Sequence, residues 1–428
     1  MDRFEVVVIG AGPAGSSAAY SLAKEGFSVL LVERGKYPGS KNVFGGRIYT
    51  YPLKWLIPKD WREAPIERFV VQENLSFLSE DTSVTVQYDS PRVGSSRVNS
   101  FTAIRSKFDR WLAEQAEQKG ALLITSTRVD DLLVSNGTVH GIRAGDDEVK
   151  ANAVIAADGV ASVFPQKAGI RAEQVPHEIS IGVKETIKLT KKRIEERFNV
   201  GDKEGVANAY IGHATDYLRG GGFLYTNEDT ISLGVVVQAE DLSLHRTEIH
   251  NMIEKFKMHP SIQKYIKGGK VVEYSAHTIP ELGTQMVPRP YANGFLAVGD
   301  AAGFVLNHGY TYRGVDLAIL SGMAAAEAVK MARASNDYSA QTLSRYLDHL
   351  RSFGVSRELE EFKRMPTFLR NSRIYSSYPQ LLCNALRRMY TVDGRRKEKI
   401  FRIMKEEMKG KVSLMQLMKD LLGGMRSV

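Results

Sequence analysis

Cysteine is almost absent from this 428-residue chain, which contains only Cys383. One thiol cannot form an intramolecular disulfide, so we expect a reducing compartment. It also excludes an iron–sulfur cluster held by four thiolates of this chain. The simplest interpretation of Cys383 is a small, buried apolar residue in a helix.

Long apolar runs are missing as well. No segment offers about 18 to 20 consecutive apolar residues, the length that a helix needs to cross a bilayer. The first residues lack the basic region, apolar stretch and cleavage site of a secretory signal, so we expect no export. The sequence therefore predicts a cytoplasmic protein whose contact with a membrane would be peripheral.

Positive charge is unevenly distributed along the chain. The net charge is +9, and the excess is concentrated near the end, in Arg387-Arg388, Arg395-Arg396-Lys397 and the lysines from Lys405 to Lys419. This distribution indicates a basic face on C-terminal helices rather than a nucleic-acid site. Such a face would suit an acidic protein, an anionic lipid surface or simple solvation.

A glycine-rich loop follows the first predicted strand. Apolar residues 4–9 lead into Gly10-Ala11-Gly12-Pro13-Ala14-Gly15, a predicted helix over 14–25 and a second strand over 28–33. Gly10 permits a tight turn, Gly12 lets the backbone approach a pyrophosphate, and Gly15 lets helix and strand pack closely. Glu33 ends the second strand, where its carboxylate would accept ribose hydroxyls. By itself this pattern predicts a dinucleotide site and leaves NAD and FAD open.

Two distant stretches resemble motifs of a large FAD family that includes aromatic-ring hydroxylases and geranylgeranyl reductases. They are Ala156-Ala157-Asp158-Gly159 and the segment 296–303, Leu-Ala-Val-Gly-Asp-Ala-Ala-Gly. The resemblance implies that Asp300 contacts the ribityl chain and that Asp158 and Gly159 lie near the pyrophosphate and ribityl region. It therefore favours FAD over NAD.

Two further positions support the same resemblance. Arg105, before Phe108-Asp109, is similar to the family's flavin-contacting arginine, and Val129 is similar to its adenine-contacting backbone position. Taken singly, Arg105 would also suit a surface charge at a helix start, and Asp300 a helix N-cap. The ordered set favours FAD.

The segment 39–49, Gly-Ser-Lys-Asn-Val-Phe-Gly-Gly-Arg-Ile-Tyr, resembles the FixC family, relatives of electron transfer flavoprotein:quinone oxidoreductase. Matching stretches continue at 181–185, 220–227 and 306–314. The resemblance implies electron transfer rather than oxygenation of a substrate. The predicted FAD-binding residues are Gly10, Gly12, Pro13, Ala14, Gly15, Glu33, Arg34, Asn42, Gly45, Gly46, Arg47, Arg105, Val129, Asp158, Gly159, Gly299, Asp300, Gly303, Gly309, Tyr310 and Arg313.

Physical chemistry suggests roles for some of these residues. Gly45-Gly46 would bring backbone against the isoalloxazine ring, and Gly309, opening a helix-like segment, would present N–H groups to its pyrimidine edge. Arg47 and Arg313 would add positive potential that stabilises reduced flavin. His308 is interpreted as a hydrogen-bonding residue rather than a proton donor.

Alternating apolar and polar residues from 70 to 98 and again from 177 predict antiparallel strands. The chain returns to the first domain with a predicted helix over 107–119 and predicted buried strands at 154–157 and 294–298. Helices dominate afterwards. We therefore predict an α/β fold with three parts. These are a discontinuous Rossmann-type, glutathione-reductase-like FAD-binding domain (1–70, 99–176 and 275–335), an antiparallel-sheet substrate or quinone domain (71–98 and 177–274), and a C-terminal helical region (336–428).

The resemblance also implies partners. The quinone oxidoreductase relatives carry a [4Fe–4S] cluster in a C-terminal ferredoxin-like domain, whereas this sequence has helices and one cysteine there. The resemblance thus implies a separate ferredoxin-like FixX protein with the cluster, and an electron transfer flavoprotein-like FixA/FixB pair upstream, with quinone as acceptor. The basic C-terminal helices are a candidate docking surface for one of these proteins.

Two other functions stay open from the sequence. One is a reductase or monooxygenase, such as a geranylgeranyl reductase-like enzyme, and the other is a flavin-containing assembly subunit that is inactive without partners. No Ser-His-Asp, Cys-His or metal-ligand pattern stands out, and no metal is predicted. A cluster formed by Tyr51, Trp55, Leu56, Ile57 and Trp61 suits core packing better than a quinone entrance or a membrane contact.

Overall fold

The computed structural model describes residues 3–41, 46–90, 98–172, 176–281, 285 and 287–427. Within these residues the strands are β1 Arg3–Ile9, β2 Val29–Val32, β3 Arg47–Tyr49, β4 Arg68–Leu78, β5 Ser83–Asp89, β6 Ser100–Thr102, β7 Leu122–Ile124, β8 Asp131–Ser135, β9 Thr138–Ala144, β10 Asp147–Ala156, β11 Ile179–Lys188, β12 Glu204–Gly212, β13 Gly220–Thr226, β14 Thr230–Gln238, β15 Lys270–Pro280, β16 Tyr291–Ala292, β17 Phe295–Ala297, β18 Leu306–Asn307 and β19 Tyr312–Arg313.

The α-helices of the same residues are α1 Pro13–Lys24, α2 Thr50–Leu56, α3 Arg105–Gln118, α4 Phe164–Lys167, α5 Lys191–Phe198, α6 Ala239–His245, α7 Ile249–Met258, α8 Pro260–Ile266, α9 Val315–Ser335, α10 Ala340–Leu343, α11 Tyr346–Ser352, α12 Val355–Glu361, α13 Met365–Phe368, α14 Ser377–Tyr390, α15 Ile400–Met408 and α16 Leu414–Met425. None of these helices is both long and apolar enough to cross a membrane.

The first sheet has a parallel core in the order β17-β10-β1-β2-β7. Val6, Val7 and Val8 of β1 are fully buried because helices cover this central strand, as in other parallel sheets. The antiparallel β16 flanks β17, and the hairpin β8-β9 extends from β10. The predicted strands and helices of this unit are confirmed to within two residues at most ends.

Helix α1 packs closely against the long helix α9. A Cβ on Gly322 of α9 would overlap the carbonyl oxygen of Ala14, so glycine is required at this crossing. Pro13 occupies the first turn of α1, where its missing N–H leaves no hydrogen bond unmade. This close packing fixes the N-terminus of α1 beside the end of β1.

The second sheet has the order β15-β11-β14-β13-β12-β4-β6-β3, with β5 paired to β4. Most neighbours are antiparallel, as predicted, but β12 and β4 run parallel. The apolar side chains on one face, such as Val183 and Val235, pack against Ile253 and Phe256 of α7. The other face borders a large cavity.

The short strands β3 and β6 belong to the second sheet and not to the first, as the predicted domain limits would have it. β3 and β6 pair with each other, and β6 pairs with β4 in the second sheet, although the segments 1–70 and 99–176 were assigned to the FAD-binding domain. Three-residue strands carry too little periodicity to reveal which sheet they join. The domain limits themselves stay a prediction.

The C-terminal region is helical, from α10 to α16, as the sequence predicts. Cys383 is fully buried in α14, and its Sγ donates a hydrogen bond to the carbonyl oxygen of Phe77. Burial raises the pKa of this thiol. The interpretation of Cys383 as a buried helical residue is confirmed.

Candidate functional site

The glycine loop joins β1 to α1 at the edge of the first sheet. Gly10 has a φ of +99°, a left-handed conformation that favours glycine, and a Cβ on Gly15 would overlap the Gly10 carbonyl oxygen. Gly12 differs from both, because a Cβ there would meet no protein atom within 4 Å. Its backbone faces open space in the cavity. Glycine at this position leaves room for a ligand to approach the backbone.

Glu33 braces this loop from the end of β2. Its Oε2 accepts a hydrogen bond from the N–H of Ala11 at 3.0 Å, and its Oε1 accepts one from the N–H of Gly35 at 2.7 Å. The side chain also lines the cavity. Each carboxylate oxygen can accept a second hydrogen bond, so the group is in position to receive ribose hydroxyls as well.

A cavity of about 950 Å³ extends from this loop to the second sheet. Its volume lies at the upper end of the roughly 300–1,000 Å³ that is usual for ligand sites. The predicted FAD-binding residues that line it are Gly10, Gly12, Pro13, Ala14, Glu33, Arg34, Gly46, Arg47, Arg105, Val129, Asp158, Gly159, Asp300, Gly309 and Tyr310. Asn42 and Gly45 lie outside the described residues.

Asp158 lies deep in this cavity. Its Oδ1 is buried without a hydrogen-bond partner among the described residues, and burial raises the pKa of the carboxyl to about 6. The neighbouring Gly159 has a φ of +86° and no protein atom near the place of a Cβ. A buried polar atom that lacks a partner beside open space indicates a ligand that satisfies it, and a dinucleotide fits.

Arg105 and Asp109 form a buried pair at the start of α3. Nε and Nη2 of Arg105 donate to the two carboxylate oxygens of Asp109 at 2.8 and 2.9 Å. Arg105 is only 6% exposed and lines the cavity, so the alternative of a surface charge is wrong. The pair holds the guanidinium in one orientation.

Asp300 lies in a short 3-10 helix, Gly299–Ala302, whose N-cap is Val298. The alternative of Asp300 as a helix N-cap is therefore wrong. Its carboxylate reaches the cavity and lies 4.0 Å from Nε2 of His277 on β15. His277 was not found from the sequence, because only the pairing of β15 with β11 brings it to this point.

Four predicted residues do not line the cavity: Gly15, Gly299, Gly303 and Arg313. Gly299 and Gly303 have φ of +57° and +73°, and they shape the turn around the 3-10 helix. A Cβ on Gly299 would lie 3.0 Å from the Cβ of Ala14, so the turn packs tightly on α1. These glycines support the site through packing.

Arg313 requires a correction. Its guanidinium pairs with Asp316 through Nη2 at 2.5 Å and with Glu358 through Nη1 at 2.5 Å, and it also donates to the Tyr51 hydroxyl. The two carboxylates offset much of its charge, and Arg313 does not line the cavity, so the structure gives no support to the positive potential predicted for the flavin. Instead it ties β19, α9 and α12 together.

Arg47 does reach the cavity. Its Nη2 lies 2.5 Å from Oε1 of Glu73, and its Nε donates to Ser100 Oγ at 3.2 Å. The guanidinium also lies over the ring of Tyr49, 4.9 Å from the centroid. Glu73 partly compensates this charge, while the side chain of Arg47 stays 9% exposed at the cavity wall.

The segment around Gly309 is a β-hairpin, β18-β19, and not the helix-like segment that was predicted. The N–H of Gly309 donates to Asn307 Oδ1 at 2.8 Å, so in this conformation it is not presented to a flavin. Helix α9 begins only at Val315. Gly309 and Tyr310 still line the cavity as the tip of the hairpin.

His308 lies in the same hairpin, between the rings of Tyr310 and Phe362. Burial, together with the neighbouring charge of Arg313, lowers the pKa of His308 to about 4. The imidazole is therefore neutral near pH 7 and cannot serve as an imidazolium proton donor. This agrees with the interpretation that His308 is not a proton donor.

Glu281 is a site residue that the sequence analysis missed. Its carboxylate accepts hydrogen bonds from Tyr312 at 2.6 Å, from Asn307 at 3.3 Å and from Ser180. Burial raises the pKa of Glu281 despite these three donors. No local pattern marks this residue, because its partners come from β11, β18 and β19.

The cavity wall formed by the second sheet is largely apolar and aromatic. It includes the backbone of Gly220-Gly221-Gly222 on β13 and the residues Phe223, Tyr225 and Ile279. None of the residues in the predicted cluster of Tyr51, Trp55, Leu56, Ile57 and Trp61 lines the cavity. Leu56, Ile57 and Trp61 are buried, which confirms core packing for these three, while Trp55 is half exposed.

Among the described residues, no group of three or more His, Cys, Asp and Glu side chains is arranged to hold a metal ion.

Two family models match this chain. Residues 5–280 match the family model of FAD dependent oxidoreductases, and residues 365–428 match the ETF-QO/FixC family C-terminal domain. The fold of this chain is similar to that of a geranylgeranyl bacteriochlorophyll reductase-like protein from Thermoplasma acidophilum. The TM-score is 0.75, with 23% identity over 99% of this chain and 100% of that one. A flavin-dependent brominase, Bmp2, gives a TM-score of 0.64 at 18% identity, over 96% of this chain and all of that one.

Curated relatives are similar over nearly the whole chain. Protein FixC of Escherichia coli K12 is 44% identical, and the probable electron transfer flavoprotein-quinone oxidoreductase YdiS of the same strain is 43% identical. Both alignments cover 99% of this chain and 98% of the relative. Protein FixC of Azotobacter vinelandii is 37% identical over 100% of this chain and 99% of its own. The chain therefore belongs to the FixC family and is an FAD-dependent oxidoreductase.

Proposed function

We propose that this chain passes electrons from an electron transfer flavoprotein-like donor, through FAD, towards quinone. The observation that carries the proposal is one continuous cavity, which joins the glycine loop of the first sheet to an apolar, aromatic wall on the second. Such a cavity suits a dinucleotide at one end and an apolar ring compound at the other. Bound FAD supplies the redox chemistry by accepting and releasing two electrons.

The residues at the glycine-loop end have distinct roles in this proposal. Gly12 and the N-terminus of α1 receive the pyrophosphate, where the helix N–H groups stabilise its negative charge. Glu33 accepts the ribose hydroxyls, and Asp158 and Asp300 orient the ribityl chain. Arg105, fixed by Asp109, faces the same part of the cavity.

At the other end, the aromatic wall excludes water and packs against the quinone ring. Reduction of a quinone to a quinol consumes two protons together with two electrons. Glu281 lines this cavity, and burial raises the pKa of its carboxyl. In this proposal it is the group through which a proton reaches the acceptor, with Tyr312 and Ser180 as its hydrogen-bonded neighbours.

We propose that the chain works as the FixC subunit of a FixABCX-type complex in the cytoplasm. A FixA/FixB pair would deliver the electrons, and a small ferredoxin-like FixX protein would carry the iron–sulfur cluster. The names of the relatives, FixC and electron transfer flavoprotein-quinone oxidoreductase, support this assignment. The single cysteine supports it as well, because four thiolates for a cluster must come from another chain.

The test is anaerobic reduction of the purified, FAD-loaded chain, first with NADH and then with a reduced electron transfer flavoprotein, followed by reoxidation with a quinone analogue. We expect fast reduction only by the flavoprotein and fast reoxidation by quinone. Equally fast reduction by NADH alone would contradict the proposal and favour the reductase or monooxygenase alternative. Electron exchange that requires added partners would favour the assembly subunit.

A further inference from the structure

Lys184, in the middle of β11, places a basic group inside the protein. The residue is almost completely buried. Lysine is seldom buried to this extent, because the ammonium group loses its hydration when it leaves water. The environment of this side chain must therefore compensate for that loss.

The side chain of Lys184 projects from the face of the second sheet that borders the cavity. Successive side chains of a strand point to opposite faces. Val183 packs against α7, and Glu185 forms an ion pair with Lys257 of the same helix. Lys184 therefore points to the other face, away from α7.

Lys184 is a diagonal neighbour of His277 on the adjacent strand β15. The register places Lys184 opposite Ser275, so His277 follows on the same face at about 7 Å between the Cβ atoms. His277 lines the cavity and lies beside Asp300. Lys184 does not line the cavity itself, so it can act on the site only through its charge.

An ion pair with Glu273 holds the ammonium group. Lys184 Nζ lies 3.1 Å from Glu273 Oε1, which also accepts a hydrogen bond from Thr186. Burial lowers the pKa of Lys184, the Glu273 carboxylate opposes this shift, and the charge of Arg105 lowers the pKa as well. Arg105 lines the cavity, so the ammonium group lies within electrostatic reach of the site.

The two charges of this pair differ in their contact with water. The side chain of Lys184 is 2% exposed, whereas that of Glu273 is 32% exposed. Water screens the carboxylate more strongly, because a charge inside the protein has a medium of lower dielectric constant around it. Towards the cavity, the pair therefore acts as a net positive charge.

The two arginines of the cavity wall are compensated in another way. Arg105 pairs with Asp109, and Arg47 pairs with Glu73. Both carboxylates line the cavity as their cations do, so each pair presents both charges to the site. Glu273, by contrast, does not line the cavity.

We propose that Lys184 supplies the positive electrostatic potential that raises the reduction potential of the bound flavin. Two-electron reduction with uptake of one proton leaves the flavin with one negative charge, which a buried cation stabilises relative to the uncharged oxidised form. The inference rests on the proposed electron transfer for its purpose. Its test needs neither donor nor quinone, so the two proposals can fail separately.

The experiment is anaerobic redox titration of the full-length, FAD-loaded chain against a reference dye. Lys184→Met should shift the reduction equilibrium towards oxidised flavin by about tenfold or more, and tenfold corresponds to about 30 mV for a two-electron couple. Lys257→Met is the matched control, because it removes a paired lysine from the opposite face of the same sheet. It should keep the potential of the unchanged chain.

A double variant separates the field of Lys184 from the loss of an ion pair. Lys184→Met/Glu273→Gln leaves no carboxylate without a cation, and it should still lower the potential because the screened carboxylate contributes less than the buried ammonium. Flavin content and thermal unfolding establish that each variant is folded and loaded, and the double variant decides alone if Lys184→Met does not fold.

Three results would overturn the proposal. The first is an unchanged potential in Lys184→Met, and the second is an equal fall in Lys257→Met. The third is a double variant with the potential of the unchanged chain, since the charges of Lys184 and Glu273 would then cancel at the flavin.

Discussion

The Tyr312 hydroxyl donates a hydrogen bond to Oε1 of Glu281 at 2.6 Å, and this contact ties the β18-β19 hairpin to the end of β15. Asn307, on the other strand of the hairpin, donates to Oε2 of the same carboxylate. One partly buried side chain therefore holds both strands of the hairpin whose tip borders the cavity. The position of Tyr310 depends on this clamp.

Replacing Glu281 should loosen the hairpin. Glu281→Ala leaves the partly buried donors of Tyr312, Asn307 and Ser180 without an acceptor, which costs about 1 kcal/mol of unfolding free energy, the lower end of the range for buried groups. Glu281→Gln should cost less, because its amide oxygen still accepts. Urea denaturation measures the difference, and Glu360→Gln, on the exposed surface, is the control. Equal stability of the alanine variant and the unchanged chain would refute the clamp.

Gly12 and Gly15 should respond differently to alanine. Gly12→Ala meets no protein atom, so the thermal stability of the flavin-free chain should not change, while FAD affinity should fall by at least about tenfold because the methyl group enters the cavity. Gly15→Ala overlaps the Gly10 carbonyl oxygen and should destabilise the fold itself. Fluorescence titration and thermal unfolding separate the two effects. Unchanged FAD affinity in Gly12→Ala would contradict the proposed pyrophosphate position.

Arg313 should matter for stability more than for the flavin. Arg313→Gln leaves the buried Asp316 without its cation, and breaking such a pair costs about 3–5 kcal/mol. The flavin midpoint potential should stay nearly constant, because Asp316 and Glu358 already compensate the charge. Denaturation and redox titration test both statements. A large fall in potential without loss of stability would restore the original prediction of a flavin-facing charge.

Asp158 should make the unfolding free energy of the flavin-free chain depend on pH. Burial raises its pKa from 3.8 to about 6, so the folded chain binds a proton that the unfolded chain has lost. This contribution to stability is fully present below about pH 4 and is lost as the pH rises through 6, a change of about 2–3 kcal/mol. Asp158→Asn lacks a titrating group and should lack this loss. Parallel pH profiles for both chains, from urea denaturation between pH 4 and 7.5, would contradict the assignment.

Local sequence patterns were sufficient to predict much of the fold. The strand, glycine loop and helix that begin the chain were predicted because the steric demand of a tight turn and the periodicity of apolar residues are local properties. The same holds for the buried Cys383 and for the helical C-terminal region. Assignment to the FixC family also rested on short motifs that the sequence displays directly.

Residues that act through distant partners could not be found in this way. Arg313 was misjudged because its charge is compensated by Glu358, 45 positions later in the sequence. Glu281 and His277 were missed because β15 places them beside Tyr312 and Asp300 only when the second sheet has formed. Gly309 was misjudged for another reason: the segment forms a hairpin, in which Asn307, two positions earlier, accepts the hydrogen bond from its N–H.

By itself, the sequence determined the dinucleotide loop with its flanking strands and helix, the family, and the need for any four-thiolate cluster to come from another chain. The tertiary structure decided which charges are compensated, which carboxyl groups are buried, and which face of the second sheet carries Lys184. The physical reason is that turn geometry and periodicity are set by neighbouring residues, whereas burial and charge pairing depend on side chains that only folding brings together.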